Sequence, residues 1–91
     1  MGTFFSGLGG TKLEHRDRFY TYGHQAISEH TRFMSHKGKE KGRYALRALK
    51  QATRAMEHYY EWNREEYHEA AQVLMGIQTE ITAWLLSQVK S

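Results

Sequence analysis

The chain has 91 residues, no cysteine, no proline and a formal net charge of +3 at pH 7. This length allows one domain near the lower size limit for independent folding, and such chains often complete their cores by forming homo-oligomers. The absence of cysteine excludes a disulfide framework and fits a cytoplasmic protein, and without an apolar run of about 18 residues no transmembrane helix is expected.

The first predicted element is an N-terminal arm. Residues 1–10 read MGTFFSGLGG, which lacks the basic region and the long apolar core of a signal peptide. We expect this stretch to be a flexible arm and residues 11–91 to form one helical domain.

A first helix is predicted over about residues 12–35. Thr11 and Glu14 match a capping box, in which the threonine caps the helix start and the glutamate reaches back to it. The apolar stripe of this helix is expected to consist of Leu13, Tyr20, Ile27 and Met34, broadened by Phe19, Ala26 and Phe33.

A second helix is predicted over about residues 39–62, and it has two different faces. Four basic residues recur at positions i, i+4, i+7 and i+11, so at about 100° per residue they lie within a sector of about 60°. These residues are Arg43, Arg47, Lys50 and Arg54. The opposite side carries Ala45, Leu49, Ala52, Met56 and Tyr59. The pattern predicts an apolar back that packs and a cationic front that faces solvent.

A third helix is predicted over about residues 64–89. Asn63 and Glu66 match a second helix cap. The apolar stripe is Tyr67, Ala70, Leu74, Ile77, Ile81, Trp84 and Leu85. Because no proline or glycine interrupts residues 43–75, a single rod made of the second and third helices is an equal alternative.

The densest positive charge lies in residues 36–54, which hold seven Lys or Arg and one acidic residue. Gly38 and Gly42 lie among the lysines, where the second helix is expected to start. Free N–H groups at a helix start and guanidinium groups both bind phosphate, so the segment predicts a site for a polyanion or a nucleotide. This prediction rests on Lys37, Lys39, Lys41, Arg43, Arg47, Lys50 and Arg54, of which the first five are the predicted phosphate ligands. A solvated helix face is the alternative.

Residues 15–24 are dense in aromatic rings, imidazoles and guanidinium groups. Such rings stack on nucleobases, and arginine adds cation–π contacts. Arg16, Tyr20, Tyr22 and His24 are therefore candidate ligand residues, whereas Phe19 is expected in the core.

Neither a metal site nor catalysis is expected. Glu65 and His68 match one carboxylate–histidine unit of di-iron bundles, but such bundles need two units and the chain has one. We expect the acidic and histidine residues around it, from His58 to Glu69, to be solvated and paired. No nucleophile is matched with an oriented base, so we interpret the chain as a binding protein without catalytic residues, metal or cofactor.

A hairpin pattern runs through residues 15–58. The first half reads His15-Arg16, then Tyr20-Thr21-Tyr22 and Gln25; the second half reads Lys39-Glu40-Lys41, then Ala45-Leu46, Leu49 and Ala52. This pattern resembles the phage anti-defence sponge proteins, whose helical hairpin sequesters nucleotide messengers of the CBASS and Thoeris immune systems.

The resemblance implies a phage protein in the cytoplasm of an infected bacterium. It implies a homo-oligomer such as a hexamer, with pockets at subunit interfaces that bind a cyclic or related nucleotide without cleaving it. The matching positions near the ligand would be Arg16, Tyr20, Tyr22, Lys39 and Lys41.

Two other functions fit the same residues. The basic front of the second helix is also suited to DNA or RNA, as an extended rather than a local phosphate-binding surface. A third hypothesis is an inhibitor or adaptor that docks on a host enzyme, anchored by the aromatic cluster Tyr59, Tyr60, Trp62 and Tyr67.

Overall fold

Three α-helices follow one another in the computed structural model, which describes residues 12–62 and 65–90. Helix α1 covers Lys12–Ser35, α2 covers Gly38–Trp62 and α3 covers His68–Lys90, and a short 3-10 helix, Glu65–Tyr67, precedes α3. The all-helical, three-helix prediction is confirmed. The expected N-terminal arm and the capping residues Thr11 and Asn63 lie outside the described residues.

Helices α1 and α2 form an antiparallel hairpin packed over small side chains. The rings of His15 and His58 meet at one end, and Lys41 contacts the backbone of Phe33 at the other. Four alanines of α2 are fully buried: Ala45, Ala48, Ala52 and Ala55. Facing them, α1 buries Phe19, Ala26 and Phe33. The seven-residue spacing on α1 keeps one stripe against its partner along the whole hairpin, as in a coiled coil.

Helix α3 folds back along the hairpin and closes the core. Its buried residues are Ala71, Leu74, Ile77 and Ile81. The Gln78 amide donates to the Thr53 hydroxyl over 3.2 Å, and the Tyr59 hydroxyl lies 3.0 Å from Nδ1 of His68. These contacts join α2 to α3 as antiparallel neighbours, so the alternative of one continuous rod is wrong. Among the described helices, none has the length and apolar character that crossing a bilayer requires.

The apolar stripe of α1 is centred differently from the prediction. Phe19 and Phe33 are buried, but Ile27 and Met34, which were placed in the middle of the stripe, are 45% and 57% exposed. The two sets of residues lie side by side on the helix, about 100° apart. Helix α2 covers the first set along its whole length. Helix α3 runs alongside α1, as the Tyr20–Tyr67 and His30–Glu80 contacts show, and leaves much of the second set open.

The two faces predicted for α2 are present. Ala45, Ala52, Met56 and Tyr59 are buried, and Leu49 is half-buried. Arg43, Arg47, Lys50 and Arg54 are all exposed. The helical period by itself therefore separates a packing side from a cationic side.

The turn between α1 and α2 depends on Gly38, which has a φ of 69°. Left-handed backbone strains a residue that has a Cβ atom, although an added Cβ would meet no atom within 4 Å. Gly38→Ala is therefore expected to lower the free energy of unfolding by about 1 kcal/mol in urea denaturation. Gly76→Ala is the matched control, since Gly76 lies inside α3 with equally open surroundings. It should raise the free energy of unfolding by about 0.5–1 kcal/mol, and equal signs for the two variants would contradict the prediction.

Candidate phosphate-binding face

The exposed side of α2 carries a continuous row of positive charge. We call Arg43, Arg47, Lys50 and Arg54 the basic row. It extends about 16 Å along the helix axis, because an α-helix rises 1.5 Å per residue. Within residues 12–62 and 65–90, none of these four side chains forms an ion pair. The charges of the basic row are therefore available to an anionic ligand.

A tyrosine that the sequence did not single out lies beside this row. The guanidinium carbons of Arg32 and Arg47 each lie 5.9 Å from the centre of the Tyr44 ring, and the His36 ring lies 4.7 Å from it. Arg32 is also 3.7 Å from a carboxylate oxygen of Glu29. The only sequence signal for this group was the i, i+3 spacing of Tyr44 and Arg47. Arg32 belongs to α1 and reaches Tyr44 only because the helices pair.

Tyr22 forms a similar group farther along the hairpin. Its ring stacks on His58 with centres 5.8 Å apart and planes 11° apart, and the guanidinium carbon of Arg54 lies 5.9 Å from the ring centre. Tyr22 is half-buried. The basic row, Arg32, Tyr22 and Tyr44 together form what we call the basic face, which α1 and α2 present side by side.

A cleft lies at the hairpin turn. It has a volume of about 470 Å³ and is lined by Met34, Ser35, His36, Lys37, Gly38, Lys41, Trp84 and Gln88. The exposed lysines Lys37 and Lys39 flank the N-terminus of α2, where free backbone N–H groups favour anions. This volume falls in the usual range for small-molecule sites.

Lys41 is engaged within the hairpin. Its ammonium donates to the backbone carbonyl of Phe33 over 2.9 Å and lies 4.0 Å above the centre of the Phe33 ring. It thus satisfies one of the last carbonyls of α1, which helix geometry leaves without a partner. Replacing Lys41 is therefore expected to lower the stability of the fold as well as the affinity for any ligand at this site.

The predicted ligand residues do not form one site within the chain. Arg16, Tyr20 and Tyr22 lie toward the end of the hairpin opposite the turn, which we call the far end, whereas Lys37, Lys39 and Lys41 lie at the turn. Along α1, Arg16 is about 25 Å from Phe33, the residue that Lys41 contacts. The resemblance implied that Arg16, Tyr20, Tyr22, Lys39 and Lys41 lie near one ligand. A single chain does not bring these residues together, because the helices run antiparallel.

Two candidates at the far end, Arg16 and Tyr20, have partners within the chain. Arg16 lies 3.4 Å from a carboxylate oxygen of Asp17. The Tyr20 ring makes an edge contact with Tyr67 at 5.3 Å and stacks near the exposed His24 at 6.3 Å. Tyr20 is thus part of the packing between α1 and the start of α3, and of these residues His24 is the most accessible.

The aromatic cluster proposed as a docking anchor is divided by the fold. Tyr59 is buried and contacts Phe19 at 5.5 Å, while Tyr60 is 64% exposed. The cluster therefore offers less surface than the sequence indicated, because Tyr59 faces the core.

The acidic and histidine residues near the end of α2 do not converge. His58 faces His15, and His68 faces the Tyr59 hydroxyl. Across the part of the chain that the structure describes, no group of three His, Asp or Glu side chains is arranged to hold a metal ion.

In comparisons with known proteins, no family model, no curated protein and no solved structure matches this chain. The resemblance to the anti-defence sponge proteins stays a prediction.

Proposed function

We propose that this protein binds single-stranded nucleic acid through its backbone phosphates, along the basic face. The observation that supports this most directly is the basic row, which places four exposed cations along about 16 Å of the helix. None of the four forms an ion pair within the described chain. At 3.4 Å per phosphate in one strand of B-form geometry, that length matches about five phosphates.

The tyrosines beside the basic row favour a strand with exposed bases over a duplex. Tyr22 and Tyr44 are both half-buried; one guanidinium carbon lies 5.9 Å from the Tyr22 ring centre and two lie 5.9 Å from the Tyr44 ring centre. We propose that the exposed part of each ring stacks on a base of a strand that follows the basic row. Aromatic side chains next to cations are the common arrangement in sequence-independent single-strand binding. We propose binding alone, without a catalytic step.

The test is a titration with a fluorescent 12-nucleotide single strand, a 12-base-pair duplex and a cyclic dinucleotide. Four phosphate contacts predict a salt slope of about −3 for the single strand, so affinity should fall about 50-fold between about 50 and 200 mM salt. A flat salt response would contradict the proposal. If the protein prefers the duplex, the proposed phosphate contacts remain supported and the proposed base stacking is rejected.

A second candidate function is sequestration of a small nucleotide, and the cleft at the turn favours it. Lys37, the N-terminus of α2 and Trp84 would supply a cation, backbone N–H groups and an aromatic ring around a space of about 470 Å³. In that case the cyclic dinucleotide binds tightly with a shallow salt slope and is recovered intact after denaturation. The homo-oligomer and the phage origin belong to this proposal, and the mass of the protein in solution tests the first of them.

A further inference from the structure

At the far end of the hairpin, a histidine of α1 and a histidine of α2 are in direct contact. Nδ1 of His15 and Nδ1 of His58 are 2.9 Å apart, and both residues are buried. They are 43 residues apart in sequence, so the contact ties the start of α1 to the end of α2. A hydrogen bond between two such nitrogens requires that one carries a proton and that the other does not.

We infer that the His15–His58 pair is an acid-sensitive latch that opens the far end of the hairpin when both rings become protonated. The first proton leaves the hydrogen bond intact, with a charged ring as the donor. A second proton removes the acceptor and places two positive rings in contact within a buried interface. That arrangement loses the hydrogen bond and adds repulsion between like charges.

The surroundings of the pair oppose the second proton. Burial lowers the pKa of His58, and the charges of His15 and Arg18 on α1 lower this pKa further, while Glu57 and Glu61 on α2 raise it. The groups acting on His58 thus come from both helices of the hairpin. The net effect is a lowered pKa of His58, which means that a proton on this ring disfavours the closed pair.

The other histidine contacts between helices respond differently to acid. Nε2 of His30 lies 2.9 Å from a carboxylate oxygen of Glu80, so a protonated His30 gains an ion pair between α1 and α3. His68 faces the Tyr59 hydroxyl, which is able to donate to a neutral ring or to accept from a protonated one. At the turn, Nδ1 of His36 lies 2.8 Å from the backbone carbonyl of Arg32, which accepts from a protonated ring. Among these contacts, only that of His15 with His58 loses its hydrogen bond when every ring is protonated.

The consequence is local opening. Tyr22 stacks on His58 and lies near Arg54, so separation of the rings removes the support of Tyr22 at the far end. At the turn, Phe33, Lys41 and Trp84 pack together without a buried histidine pair. The turn should stay closed under conditions in which the far end opens. This inference does not depend on the identity of the ligand.

Amide hydrogen exchange by NMR tests the latch at about pH 7.5 and about pH 5, on either side of the ordinary histidine pKa. In the unmodified protein, protection factors of amides in residues 19–22 and 55–58 should fall about fivefold more on acidification than those in residues 33–34 and 41–45, which is the size expected for the loss of one net hydrogen bond. Equal loss at both ends would overturn the proposal.

His58→Asn is the diagnostic variant, because an asparagine amide lies near the position of Nδ1 and does not titrate. It should remove the selective loss at the far end, whereas His24→Asn, at an exposed histidine of α1, should leave it unchanged. Selective opening that persists in His58→Asn would reject the latch. If that variant does not fold, imidazole titration of the unmodified protein decides, since two rings that both titrate as free histidines contradict the inference.

Discussion

Replacing Phe33 with alanine is expected to lower the free energy of unfolding by about 3–5 kcal/mol. Phe33 is buried where all three helices meet. Its ring makes an edge contact with Trp84 of α3 at 5.3 Å and lies beneath the ammonium of Lys41 of α2. Truncation leaves a cavity and removes both contacts. For a small domain whose total stability is about 5–15 kcal/mol, such a loss approaches unfolding.

Met34→Ala is the matched control for that measurement. Met34 is the next residue in sequence and also large and apolar, but it is 57% exposed. Its truncation should change the free energy of unfolding by no more than about 0.5 kcal/mol in urea denaturation. Similar losses for the two variants would contradict the structure and would favour the stripe that the sequence indicated, in which Met34 is central.

The double substitution Arg47→Ala with Lys50→Ala is expected to weaken single-strand binding about 25-fold at about 0.1 M salt, because each lost phosphate contact removes about 0.7 from the salt slope. Both side chains are exposed. The melting temperature should therefore stay nearly unchanged. The measurement is a fluorescence titration at several salt concentrations, in which the slope should become shallower by about 1.4.

Lys37→Ala with Lys39→Ala provides a control with the same change in net charge. These exposed lysines lie at the turn, outside the basic face. If the strand follows the basic row, the control should lose much less affinity than the double variant of the row. Equal losses would mean that net charge alone attracts the strand. A larger loss in the control would support binding at the cleft and favour the second candidate function, sequestration of a small nucleotide.

The helical fold and the two sides of α2 were readable from the sequence because both arise locally. The spacing of Arg43, Arg47, Lys50 and Arg54 fixes their common direction as soon as the segment is helical. The alanines opposite them indicate a close partner helix, since small side chains let backbones approach. Periodicity also gave α3 its buried residues Leu74, Ile77 and Ile81.

The stripe of α1 was harder to predict because two neighbouring stripes on that helix are both apolar. Phe19, Ala26 and Phe33 form one, while Tyr20, Ile27 and Met34 form the other. Periodicity does not choose between them. The choice depends on which side α2 occupies and on how far α3 covers the other side.

In the candidate site, too, local features follow from the sequence and contacts between helices follow from the tertiary structure. By itself the sequence determined a helical chain, a cationic side of α2 and a supply of aromatic and histidine residues on α1, because composition and helical period act within one segment. The separation of α2 from α3 was decided by the contacts between them. The tertiary structure alone decided that Arg32 reaches Tyr44, that Lys41 contacts Phe33 and that His15 meets His58. Each of these contacts links residues on different helices or depends on which side of α2 faces α1. Antiparallel pairing sets that register, which no local pattern specifies.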